Sequence, residues 1–151
     1  YNAGEVHTKL AVAIASMWKE ALGADVRLTQ VEFKTLLQQI DRGDVELFRS
    51  SWAGDYNDAY TFAQYLKSDF GLNLPRYRSA AYDALLTRAA AEVDLGKRRA
   101  LLEEAERVML ADTPLMPLYF YVNKHLVQPQ VLGWYDNVMN VTYSRDLGLK
   151  P

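Results

Sequence analysis

Asp25-Val26-Arg27-Leu28-Thr29-Gln30-Val31, then Phe33, Leu36, Leu37 and Ile40 at helical spacing, then Gly43 and Val45-Glu46-Leu47-Phe48-Arg49-Ser50-Ser51-Trp52, set the expected architecture of this chain. Val26, Leu28 and, with one slip, Val31 alternate with polar residues as in a half-buried strand. The middle segment carries its apolar residues on one helical face, and Gly43 stands where a helix ends. Val45 to Trp52 again reads as a strand. Strand, helix, strand at this spacing predicts a right-handed parallel crossover. The Tyr1 end precedes a helix over His7 to Leu22, striped by Leu10, Ile14, Met17, Trp18 and Ala21 and closed by Gly23, so it could add an earlier strand to the same sheet. The first half is therefore read as α/β.

Further along, Tyr60 to Lys67 reads as a short helix and Asn73-Leu74-Pro75-Arg76 as a loop. Ser79 can cap a helix carrying Tyr82, Leu85, Leu86, Ala89 and Val93. Leu101, Leu102, Ala105, Val108 and Met109 line another, which stops before Pro114. Leu118 to Val122 and Leu126-Val127 resemble strands joined by a turn at Asn123-Lys124, and the chain from Val131 onward is loop-rich. No internal repeat or low-complexity linker interrupts the order.

Composition narrows the function. At 151 residues, half of them hydrophobic, one domain of residues 1–151 with an ordinary core is expected. No apolar stretch has the length of a membrane span. Lys and Arg number 17 against 19 Asp and Glu, a net charge of −2, which offers no polybasic field and argues against nucleic acid. Without cysteine there is no disulfide, thiolate zinc site or cysteine nucleophile, while the compartment stays open. The start, Tyr1-Asn2-Ala3-Gly4-Glu5, lacks both an initiator Met and a signal-peptide pattern, so the chain is expected to begin partway through a longer one.

Catalytic signatures are missing. His7 and His125 are far apart with no helical His pair, so no metal site is expected. No nucleophile elbow, phosphate loop or dinucleotide fingerprint is present, and Asp69-Phe70-Gly71 stands without the rest of a kinase core. The expectation is a protein with no catalytic residues and no cofactor. Asn140-Val141-Thr142 is a glycosylation sequon, meaningful only in a glycosylating pathway.

The strongest signal is Arg49-Ser50-Ser51-Trp52-Ala53-Gly54-Asp55-Tyr56-Asn57-Asp58, a strand with an internal Arg running into an acidic-aromatic loop. Ligands of α/β sheets bind beyond the carboxyl ends of the strands, where Trp52 and Asp55 would fall. Two readings stand side by side. Arg49 is either a ligand contact or the partner of a nearby carboxylate, since burying it alone is costly. Asp55 is either a ligand contact or, like Asn57 and Asp58, a cap for the next helix.

In this run the chain resembles the C-terminal lobe of the bacterial oligopeptide-binding proteins of ABC importers, solute-binding family 5. The resemblance runs in order through Tyr1-Asn2 and His7, Met17-Trp18-Lys19, Val31-Glu32-Phe33-Lys34, the Arg49 to Asp58 run, Pro117-Leu118-Tyr119-Phe120-Tyr121-Val122-Asn123 and Leu126-Val127 with Pro129. It implies an α/β fold with a mixed sheet, parallel βαβ crossovers and flanking helices, forming one lobe of a two-lobed periplasmic binding protein. It implies no enzyme activity, and an oligopeptide ligand whose α-ammonium is held by Asp55. Arg49 and His7 would receive the C-terminal carboxylate of shorter and longer peptides. Backbone around Ser51 and Ala53 would pair with the extended peptide, and Trp52, Asn2, Phe33 and Tyr121 would line the cleft. The implied partners are the N-terminal lobe of the same protein and a membrane ABC permease, and the implied location is periplasmic or a cell-surface lipoprotein.

Phe33 and Ile40 stand where the enteric members have Trp and Arg, and Ala59 where Pro is usual, so side-chain preference is open. Alternative ligands are a dipeptide, a metal chelate or an oligosaccharide; the presence of Asp55 argues against the last two. From a different class, Asp55 could be the phosphoacceptor of a receiver-like domain, but the acidic pair and distal Lys of such domains are not at matching places.

Overall fold

The computed structural model describes residues 1–151, which divide into two compact units, Tyr1–Trp52 and Ala53–Pro151. The first unit holds two helices, α1 (Glu5–Leu22) and α2 (Phe33–Arg42). Each ends on a left-handed glycine. At Gly23 (φ 68°) the amides of Gly23 and Ala24 reach back to the carbonyls of Lys19 and Trp18, and at Gly43 (φ 79°) those of Gly43 and Asp44 reach Ile40 and Gln39. Such caps satisfy carbonyls that the last turn leaves without partners. Helix α2 is opened by Glu32, whose carboxylate accepts from the amides of Lys34 and Thr35 at 2.8 and 3.2 Å.

The expected sheet in this unit is reduced to a single parallel bridge between Asn2 and Val31. The Ala3 amide donates to the Val31 carbonyl at 2.8 Å, and the Val31 amide to the Tyr1 carbonyl at 3.0 Å. Residues 26–30 and 45–52 form no ladder, so the expected crossover strands do not appear. Alternation of apolar and polar residues suits a segment to a sheet; it does not supply the neighbouring strand whose carbonyls the amides need. The expected apolar stripes are only partly covered. Leu36 and Ile40 are buried, but Phe33, Leu37 and Met17 are exposed, and α1 has no buried residue.

The second unit is built on a helical hairpin, α4 (Ala80–Ala91) and α5 (Leu95–Asp112), joined by the short link Glu92–Asp94. Ahead of it lie α3 (Tyr60–Ala63) and a 3-10 turn, Gln64–Leu66, with α3 against both hairpin helices. Ser79 caps α4 as expected, its Oγ accepting from the Tyr82 amide, and Asp94 caps α5 through the Lys97 amide at 2.9 Å. Tyr65, Leu66, Tyr82, Leu85, Leu86, Leu101 and the fully covered Ala89 and Ala105 form the core. Tyr82 is buried to 2% exposure, and its hydroxyl donates to the Ala63 carbonyl at 2.7 Å, which removes the cost of an unpaired buried hydroxyl. Val93 does not continue the stripe of α4: the helix stops at Ala91, and Val93 is exposed.

Leu118–Val122 and Leu126-Val127, expected as strands, form no ladder either, and Phe120 and Leu126 are fully in the open. The sheet in this unit instead pairs β1 (Val131–Leu132) with β2 (Gly148–Leu149), antiparallel, within the stretch read as loop-rich. Gly133 (φ 77°) makes this approach possible. A Cβ there would lie 1.8 Å from the Asp146 carbonyl oxygen, so no other residue fits.

No helix is long and apolar enough to cross a membrane, and no group of three or more His, Cys, Asp or Glu side chains could hold a metal ion.

Candidate ligand-binding residues

The acidic-aromatic loop belongs to the second unit, where its two carboxylates do different work. Asp58 is structural. Its Oδ1 accepts from the amide of Tyr60, the first residue of α3, at 2.7 Å, and both its oxygens receive the Arg98 guanidinium, Nη1 to Oδ2 at 2.7 Å and Nη2 to Oδ1 at 2.8 Å. Arg98 also donates from Nε to the Ala89 carbonyl near the end of α4, at 3.2 Å. This two-pronged geometry is the strong form of an Arg–carboxylate pair. The Arg98 hydrogen bonds hold the Asp58 carboxyl below its usual range; burial opposes this and the Tyr60 amide adds to it.

Asp55 is held through its backbone. Its amide donates to Oγ1 of Thr61, a residue with no exposed surface, at 3.0 Å. The preceding Gly54 lies so close to α3 that a Cβ would come within 3.1 Å of both Phe62 and Thr61. The Asp55 carboxylate itself is exposed and accepts no hydrogen bond from the chain. Of the two roles open to this loop, helix capping thus goes to Asp58, and Asp55 is left facing solvent. The sequence reading missed Thr61 and Arg98. Thr61 follows Asp55 closely enough to be suspected of a turn contact, but no local pattern links Asp58 to Arg98 on another helix.

In the first unit, the structure brings His7 and Arg49 within electrostatic reach of each other. His7 lies in the first turn of α1 and folds back over Gly4 (φ 150°), where a Cβ would meet its ring at 2.9 Å. Its Nδ1 is buried with no hydrogen-bond partner. Burial, and after it the Arg49 charge, lowers the His7 pKa below 6.5, because both disfavour the imidazolium. Arg49 and Trp52 are half-buried, Asn2 sits in the bridge to Val31, Ser51 is exposed, and Phe33 is 56% exposed at the start of α2.

Ala53 and Tyr121 fall in the second unit, both exposed. The Tyr121 ring stands 5.0 Å from that of Tyr119 and borders an open cavity of about 510 Å³ that also takes in His125, Trp134, Asp136 and Asn137.

Residues 1–73 match the family described as bacterial extracellular solute-binding proteins, family 5 Middle. The chain belongs to the family 5 solute-binding proteins.

It is 38% identical over 148 residues to the periplasmic murein peptide-binding protein MppA of Escherichia coli K12, covering 97% of this chain and 28% of that one. It is 40% identical over 151 residues to the probable deoxycholate-binding periplasmic protein YgiS of the same organism, with 99% and 28% covered. Among solved structures, Haemophilus influenzae OppA in complex with RPPGFSPFR superposes with a TM-score of 0.85 at 33% identity, over 99% of this chain and 30% of that chain. The chain spans under a third of the length of the relatives it matches.

Proposed function

We propose that this chain is the C-terminal lobe of an extracytoplasmic oligopeptide-binding protein that delivers peptides to an ABC permease, and that Asp55 anchors the peptide's α-ammonium. The observation that carries the reading is the division of labour in the loop: Asp58 is consumed by Arg98 and the Tyr60 amide, while the Asp55 carboxylate is exposed and accepts nothing from the chain. A carboxylate fixed by its backbone can read any peptide's N-terminus, because that group does not depend on sequence. Arg49 and His7 supply the complementary chemistry for a peptide carboxylate. Ser51 and Ala53 lie in a segment outside any ladder, suited to pairing with an extended peptide, and Trp52, Asn2, Phe33 and Tyr121 offer side chains to it. An N-terminal lobe of the same protein closes over the ligand. Its location is periplasmic, or the cell surface for a lipoprotein.

A second reading rests on the relative named for deoxycholate. Such a ligand brings a carboxylate and an apolar body but no ammonium, so it would use Arg49 and leave Asp55 idle.

Calorimetry on the full-length protein separates the two. Asp55→Ala and N-acetylation of the peptide should each weaken binding about 30-fold to several thousand-fold, since either leaves a charge unpaired when the clamp shuts. Their combination should cost much less than the product, because both delete one interaction. Equal affinity for free and N-acetylated peptides removes Asp55 as the anchor. Binding of deoxycholate that is indifferent to Asp55→Ala installs the second reading.

A further inference from the structure

Loops that carry ligand contacts are ordinarily among the more mobile parts of a fold, and a carboxylate on a free loop must be ordered when its ligand arrives. The loop around Asp55 is built against that cost. Two side chains outside it hold it at both ends: Thr61 takes the Asp55 amide at 3.0 Å, and Arg98 takes both oxygens of Asp58 at 2.7 and 2.8 Å. Neither anchor is loosely placed. Thr61 has no exposed surface, and its own amide donates to the Asp58 carbonyl at 3.2 Å. Arg98 sits on α5 with its side chain 21% exposed, and its Nε is spent on the Ala89 carbonyl of α4. The loop is thereby pinned to the helical hairpin.

We infer that Thr61 and Arg98 are positioning residues for Asp55: they act on the ligand through the loop, fixing where its carboxylate points before the peptide arrives. The inference rests on the reading of Asp55 as the amine anchor. A guanidinium suits the second role better than an ammonium, because its planar fork fixes the orientation of Asp58 as well as its distance. The same pair does not neutralise Asp55, whose carboxylate remains unengaged by the chain.

The test is discrimination, measured calorimetrically on the full-length protein with one peptide in free-amine and N-acetylated forms. A purely structural role would weaken both forms alike. Positioning predicts that Thr61→Val and Arg98→Met each lower affinity for the free-amine peptide about three- to tenfold, the worth of a lost hydrogen bond, and leave the N-acetylated form within about twofold. Thr61→Ser, which keeps the hydroxyl, should restore the wild-type ratio, and Arg98→Lys should restore part of it.

If Arg98→Met does not fold, Thr61→Val, close in volume to Thr, carries the experiment. Folded Thr61→Val protein with an unchanged ratio overturns the positioning role and leaves the Asp55 reading standing. A wild-type protein that does not discriminate, by contrast, removes the Asp55 reading and this inference with it.

Discussion

Helices α1 and α5 are both 18 residues long, yet α1 buries no residue while α5 packs Leu101 and Ala105 into the core of a hairpin. The difference follows from what each meets within its own unit. Helix α5 packs against α4, and Ala89, Ala105, Leu85, Leu86 and Tyr82 of this pair are buried. The first unit offers α1 only a ten-residue helix and a single β-bridge. Stability is therefore concentrated in the second unit, the one that carries the Asp55 loop, while His7 and Arg49 belong to the less covered one. Under the proposed function, a loop that presents Asp55 from the better-packed unit is the preorganised arrangement.

The largest expected effect breaks this contrast at its strong side. Leu86 is completely buried, and Leu86→Ala should cost about 2–5 kcal/mol in chemical denaturation, through lost contacts and an incompletely filled cavity. Met17→Ala on the exposed face of α1 should stay within about 0.5 kcal/mol. Comparable losses at the two positions would mean that α1 is covered as fully as α5.

A smaller effect separates the two carboxylates of the loop. Asp58→Ala strands the Arg98 guanidinium and frees the Tyr60 amide. Both side chains of the pair keep some solvent access, so screening limits the loss to about 1–2 kcal/mol. Asp55→Ala, with no partner to strand, should leave stability within about 0.5 kcal/mol and act on binding alone. The Asp58 contribution also has a pH signature. Its folded pKa lies below the ordinary 3.8, so the unfolded chain binds the proton more readily; the stabilisation is present above 3.8 and is lost as pH falls through the folded value. In acid titrations of stability, the wild type should lose this advantage over Asp58→Ala.

Helix signals were the legible part of the sequence. Gly23, Gly43 and Ser79 announced their caps because the backbone geometry a cap requires admits few residues, and Tyr82, Leu85, Leu86 and Ala89 announced a core face by their spacing. Strands were not. The alternation around Val26–Val31 and the apolar run at Leu118–Val122 record suitability for a sheet, and ladder formation depends on partners that no local pattern contains. At the candidate site, the residue pattern left Asp55 and Asp58 alike as possible helix caps, and only the family resemblance singled out Asp55 as the expected amine contact. The structural distinction lies in Arg98, on another helix, and local periodicity is blind to it.

The smallest effect concerns His7, on the less covered side of the comparison. Its Nδ1 is enclosed without a partner, and burial first, then the Arg49 charge, lowers its pKa from 6.5. Between the folded value and 6.5 the unfolded chain therefore holds more protons than the folded one, so stability rises with pH across that window. The contribution is complete above 6.5 and is lost as pH falls through the folded value. An NMR titration of the His7 ring should find its midpoint below 6.5, and His7→Gln should flatten the corresponding slope of stability against pH. Under the proposed function, a peptide carboxylate arriving beside Arg49 and His7 would reverse the electrostatics. It offsets the guanidinium and favours the imidazolium, so the His7 midpoint should rise on binding and affinity should fall as pH increases through the new midpoint. Binding that leaves the His7 titration where it stood in the free protein would take His7 out of carboxylate recognition and leave that task to Arg49.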